Sequence, residues 1–187
     1  CLLAMKKKSS SVKILRSLGR IFNKAKNYKK AFEFFQRASE IGDGFSDWMI
    51  SEAYYYGNGV KKDYSKAFHY ISKSKDKKFI WALENIGSYY QFGHGTKIDL
   101  DKSFSAFNKC AEKKLELCLN KMQWAYKNSE LNATKNKEKE LYYIKKLIEI
   151  DSNDGFTSLG EYLLTNATNE IDIRNALLNL EKAGEDA

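Results

Sequence analysis

The sequence predicts an all-α fold, an α/α superhelical solenoid of about five helix-turn-helix repeats. Three observations predict it. The chain repeats itself: Tyr56-Gly57-Asn58-Gly59 recurs as Phe92-Gly93-His94-Gly95, and the same offset carries Ile50 to Ile86, Tyr54 to Tyr90, Asp63 to Asp99, Lys66 to Lys102, Phe68 to Phe104 and Lys73 to Lys109. Self-similarity at a fixed period of this size marks stacked supersecondary units. Apolar residues within each unit fall at helical spacing. Proline, the strongest helix breaker, is absent from all 187 residues.

The repeats run roughly 11–43, 44–78, 79–114, 115–152 and 153–187. In the first, Leu18-Gly19 precedes Ile50 by less than the period, which predicts a shorter loop between its two helices. The second and third carry the Gly-x-Gly loop, whose glycines end a helix and admit a turn with positive φ. In the third, Ala82, Ile86, Tyr89 and Tyr90 make one apolar stripe, Asp99 stands where a carboxylate caps the next helix, and Phe104, Phe107 and Ala111 continue the stripe. The fourth and fifth align through Met122 and Leu159, then through Lys139-Glu140-Leu141 and Asn175-Ala176-Leu177, but lack the Gly-x-Gly loop, so their helix lengths are less closely defined. One helix pair cannot bury its apolar face alone, so the pairs must stack, as a right-handed superhelix.

Charge is unevenly placed. The chain carries a net charge of +8, yet residues 1–41 hold 11 Lys+Arg against Glu33 and Glu40, leaving the rest near neutral. That excludes a uniformly basic nucleic-acid binder and leaves a basic end suited to phosphate, an anionic membrane or an acidic partner, or simply to solvent. Residues 1–10, with the Lys6-Lys7-Lys8 run, read as a flexible basic segment ahead of a single repeat domain over 11–187. Cys1 is the residue that cleavage of a bacterial lipoprotein precursor exposes, which points to membrane attachment through Cys1 and a place in the bacterial periplasm or envelope. Met5 as the true start of a cytoplasmic protein is the alternative.

Catalytic patterns are missing. His69 and His94 have no His or Cys neighbour at metal-ligand spacing, and no phosphate-binding, nucleophile-elbow or metalloprotease motif occurs. The sequence therefore implies no enzyme, no metal and no cofactor.

The run Ala82-x3-Ile86-Gly87-x2-Tyr90-x2-Gly93-x-Gly95, then Asp99-x2-Lys102 and Lys109, resembles the Sel1-like repeat, an α/α solenoid family related to tetratricopeptide repeats. Repeat two matches through Ala53, Tyr54, Gly57, Gly59, Asp63, Lys66, Ala67 and Lys73, whereas repeat one, through Leu18, Gly19, Phe22, Tyr28, Ala31, Phe35 and Ala38, is closer to a tetratricopeptide repeat. The resemblance implies a protein-binding scaffold. Cysteine-rich exported members of the family pair two cysteines across each repeat junction, and Cys110 and Cys118 share that spacing and position. The resemblance thus implies a disulfide. Buried free thiols are the alternative, since Ser74 and Ala82 fill the same places one repeat earlier.

By the tetratricopeptide analogy, groove-facing positions lie five and two before, and two and five after, the central Leu or Ile of each first helix. These include Arg16 and Arg20, then Trp48, Glu52 and Tyr55, then Trp81 and Glu84, then Trp124. All 3 tryptophans fall on this set. Aromatic side chains bury large areas at small entropic cost and serve as binding anchors. Trp48, Trp124 and Tyr55 are the expected anchors, with Trp81 equally suited to packing on the previous repeat, and Arg16 and Arg20 supply attraction. The reading that follows is a non-enzymatic scaffold holding a protein or peptide in its concave groove, such as an immunity, neutralising or envelope adaptor protein. The alternatives are an exported enzyme or peptidoglycan-fragment binder of the cysteine-rich type, and a membrane-surface protein that uses its basic end.

Overall fold

The computed structural model describes residues 2–184, with side chains from residue 11 onward. Among these residues it contains ten α-helices and no strand. They are α1 Leu2–Lys24, α2 Tyr28–Glu40, α3 Gly44–Tyr56, α4 Tyr64–Asp76, α5 Trp81–Phe92, α6 Leu100–Ala111, α7 Glu116–Asn128, α8 Lys137–Ile148, α9 Asn153–Asn166 and α10 Glu170–Gly184. The pairs reproduce the five expected repeats. The expected boundary at residue 10 falls within α1. Cys1 and the side chains of the basic segment lie outside the described residues.

The backbone divides into two compact units, Cys1–Asp99 with α1 to α5 and Leu100–Ala187 with α6 to α10. In each, every helix packs on the next one in the chain, the contact order of a helical repeat solenoid.

In the first unit, Ala31, Phe35 and Ile50 form a buried cluster with Phe22, Phe32, Met49 and Tyr54 packed around it. Helix ends are capped. Asn27 caps α2 and Asp63 caps α4, their side chains accepting the Lys30 and Lys66 amide hydrogens. Gly57 ends α3 at φ 79° and returns its N–H to the Ala53 carbonyl. Gly59, at φ 76°, serves a second purpose: a Cβ there would stand 2.5 Å from the Tyr28 carbonyl carbon, so the loop lies directly on the start of the previous repeat's second helix. Buried Asp47 ties α3 to its neighbours, accepting from Ser39 Oγ and lying 3.3 Å from Lys73 Nζ and 2.5 Å from Lys77 Nζ. A buried carboxylate is tolerated only with such partners.

The second unit packs Phe107, Leu119, Met122, Ile144 and Leu147 into its core. Cys110 and Cys118 join α6 to α7 as a disulfide, with Cα atoms 5.7 Å apart. Although repeat four lacks Gly-x-Gly, α7 is as long as α3: Ser129 takes the left-handed cap position at φ 59°, and Leu131 and Asn132 also have positive φ. A serine can adopt this conformation, at a cost glycine avoids.

Candidate partner-binding groove

The first helices of repeats two and three present their outward residues to a common cavity in the first unit. Trp48 and Glu52 from α3 and Trp81, Glu84 and Asn85 from α5 line it, with Phe45, Tyr56 and Phe79 completing its wall; its volume is 570 Å³. Four residues placed there by counting from Ile50 and Ile86 therefore meet: Trp48, Glu52, Trp81 and Glu84.

Local packing sets their postures. The Trp48 ring is half-buried against Phe45 and Phe79, at 5.7 Å between centroids in each case. Its indole N–H donates to Asn85 Oδ1 at 3.0 Å, and Asn85 Nδ2 in turn donates to Glu52 Oε1 at 3.3 Å. This relay across two repeats holds one tryptophan and one carboxylate in place. Trp81 is 49% exposed, the more open of the two rings. Both rings line the cavity, Trp48 as the more buried wall and Trp81 as the more open face.

Burial pushes the carboxyl of Glu52 above the ordinary glutamate range, and the charge of Glu84 adds to the effect. Burial also raises Glu84. Desolvation disfavours the charged form, and a like charge nearby does so again.

Tyr55 does not line this cavity. It sits in an aromatic cluster with Tyr56, Tyr64, Tyr89 and His94, its hydroxyl 3.2 Å from His94 Nδ1. Burial is the first cause of its raised pKa. That cluster borders a smaller cavity of 230 Å³ whose lining shares Glu52, Tyr56 and Asn85 with the first, so the two are neighbours. His94, the variable residue of the Gly-x-Gly loop, is thereby recruited to the groove's end.

Arg16 is committed elsewhere. Its guanidinium forms a two-point contact with the buried Asp43 carboxylate and lies over the Phe45 ring, 5.2 Å from its centroid. Asp43 in turn caps α3 at Ser46. Arg16 thus holds repeat one to repeat two rather than offering a free charge, because stacking brings Asp43 beneath it. Arg20 is exposed on α1.

Trp124 belongs to the second unit and lines a different cavity, of 440 Å³, with Leu117, Asn120, Lys127, Asp154 and Glu161. It is 48% exposed, with its indole N–H on Glu130 at 3.0 Å. There the acidic groups already have partners: Lys127 reaches Glu161 at 2.9 Å and Asn120 donates to Asp154 at 2.6 Å.

Sequence reasoning missed Asn85, Tyr56 and Phe79. Asn85 adjoins Glu84 but falls outside the counted positions. Phe79 lies in the turn between repeats, whose path the periodicity leaves undefined. The signal that remained was composition, since polar Asn85 directly precedes the core residue Ile86.

Residues 19–43, 46–78 and 82–109 match the model of the Sel1 repeat, the first repeat among them. The fold is shared with solved structures. One is a protective antigen present in uropathogenic Escherichia coli strains and displaying an SLR fold: identity is 23%, the TM-score 0.84, and the match covers 100% of this chain and 41% of that one. Another is a Sel1 repeat protein from Oxalobacter formigenes, at 22% identity and a TM-score of 0.81, with 90% of this chain and 69% of that one covered. The present chain thus spans about two fifths of the length of the first of these. No curated protein matches it.

Proposed function

The chain is a Sel1-like repeat protein, and from that premise we propose that it is a non-enzymatic scaffold which holds a segment of a protein partner in the groove of its first unit. One observation carries the reading: outward side chains from two consecutive first helices, Trp48 with Glu52 and Trp81 with Glu84, converge on one open cavity. A helical repeat of the Sel1 type commonly mediates protein–protein contact, and aromatic anchors in a concave surface are what such contact uses. The groove's polar groups are carboxylates and an amide, suited to fixing a ligand's orientation.

The disulfide between Cys110 and Cys118 supports an exported setting, since disulfides persist in oxidising compartments. An immunity, neutralising or envelope adaptor protein of the bacterial periplasm or envelope is the concrete form of the proposal. No helix among the described residues is long and apolar enough to cross a membrane.

The test is cross-linking mass spectrometry of the chain with the proteins it captures from a bacterial envelope fraction. Cross-links from a captured partner to α3 and α5, lost in Trp81→Ala, support the reading. Cross-links confined to α2, α4 and the second unit overturn it.

A further inference from the structure

Resting on that groove as the partner's seat, we propose that its occupant is a cationic side chain, an arginine or lysine of the partner polypeptide, set against the Trp48 and Trp81 rings and countered by the Glu52 and Glu84 carboxylates.

Charge within the chain is unevenly matched at this groove. With 32 Lys+Arg against 24 Asp+Glu, cations are in excess. Among the buried carboxylates elsewhere, Asp43 has recruited Arg16 and Asp47 has recruited Lys73 and Lys77, while Glu140 takes the Gln123 amide. Glu52 and Glu84 have no ion-pair partner among the described residues, although both are partly withdrawn from water. Two like charges in one aromatic cavity, each partly desolvated, oppose folding, and a cation from a partner would relieve that cost.

The wall of the groove suits a cation as well. A cation over an aromatic face is attracted by the ring quadrupole, most strongly over tryptophan, and more strongly when water is excluded. Trp81 offers an open face, and Trp48 is locked by Asn85 so that no reorientation is needed. At the groove's edge the chain already shows the same chemistry internally, with Arg16 laid over Phe45 and paired to Asp43. The proposed ligand repeats that arrangement with residues supplied in trans.

Of the basic N-terminal stretch, Arg16 at the groove's edge is already paired with Asp43. The cavity of the second unit also has a tryptophan, but there Glu161 already holds Lys127 as an ion-pair partner.

The experiment selects a displayed library of short random peptides on the intact chain, with counter-selection on the folded Trp81→Ala variant. Selected peptides are then titrated by tryptophan fluorescence against the wild type and against a Glu52→Gln/Glu84→Gln double variant, which keeps side-chain shape and removes both charges. Groove-dependent peptides that share an arginine or lysine are expected. Replacing that residue by citrulline or acetyl-lysine should weaken binding about tenfold or more, with little further loss in the double variant. Groove-dependent peptides without a basic residue, or with equal affinity after neutralisation, overturn the cationic occupant and leave the groove standing. Absence of any groove-dependent peptide overturns both.

Discussion

The two glycines of the repeat-two loop should differ sharply in what they tolerate. Gly57 and Gly59 both have φ near the left-handed region, at 79° and 76°, so alanine at either meets the same backbone penalty. That penalty is about 1–2 kcal/mol, offset by roughly 0.4–1 kcal/mol because alanine restricts the unfolded chain. At Gly57 the nearest heavy atom to an added Cβ is 3.5 Å away, an ordinary contact, so the net cost of Gly57→Ala is about 1 kcal/mol. At Gly59 the added Cβ would lie 2.5 Å from Tyr28 C and 2.6 Å from Tyr28 O. These are backbone atoms at the N-terminus of α2 and cannot rotate away. The loop must lift off the preceding repeat, adding about 2 kcal/mol or more, in the range of overpacking costs. Urea unfolding followed by circular dichroism at 222 nm should therefore place Gly59→Ala well below Gly57→Ala. Equal midpoints for the two, or a Gly59→Ala midpoint matching wild type, would refute the close approach of loop and helix.

Glu52→Gln should stabilise the free protein at neutral pH by at most about 1 kcal/mol, since it removes an uncompensated and partly buried charge while keeping the acceptor for Asn85. The sign follows from its raised pKa: the folded state binds the proton more tightly than the unfolded state, so this group's unfavourable effect is greatest above the folded value and fades as pH falls through it. Melting temperatures of wild type and Glu52→Gln should thus converge on acidification, and a Glu52→Gln protein less stable than wild type at neutral pH would contradict this. Reducing the Cys110–Cys118 bridge, whose ends are 8 residues apart, should lower stability by about 2–3 kcal/mol in the chain-entropy treatment. Thermal melts with and without reductant measure it, and mass spectrometry of unreduced, alkylated protein that finds two free thiols would remove the bridge from the account.

Much of this architecture was legible because solenoid packing is local. Repeat borders, the shorter first loop and the positive φ at Gly57 and Gly93 follow from spacing and residue type alone. Counting outward from Ile50 and Ile86 also brought Trp48, Glu52, Trp81 and Glu84 to one face, because consecutive first helices stack in register. What stayed hidden depends on contacts between repeats. Arg16 reads as a free charge until Asp43, from the loop before α3, is placed beneath it. Trp48 and Trp81 both fall on the counted outward set, two before Ile50 and five before Ile86, and packing of Trp48 on Phe45 and on Phe79 of the inter-repeat turn sets the two rings apart. The repeat-four helix length was obscured because Ser129 adopts a backbone conformation that composition assigns to glycine.

The most direct measurement of the groove account is the affinity of a captured partner for the wild type and for Trp81→Ala, with thermal melts alongside. Trp81 is 49% exposed, so its removal should leave the fold intact. The account predicts a loss of about 2 kcal/mol or more in binding, roughly thirtyfold, at an unchanged melting temperature. Unchanged affinity in a folded Trp81→Ala variant would contradict it and move the binding surface away from α3 and α5.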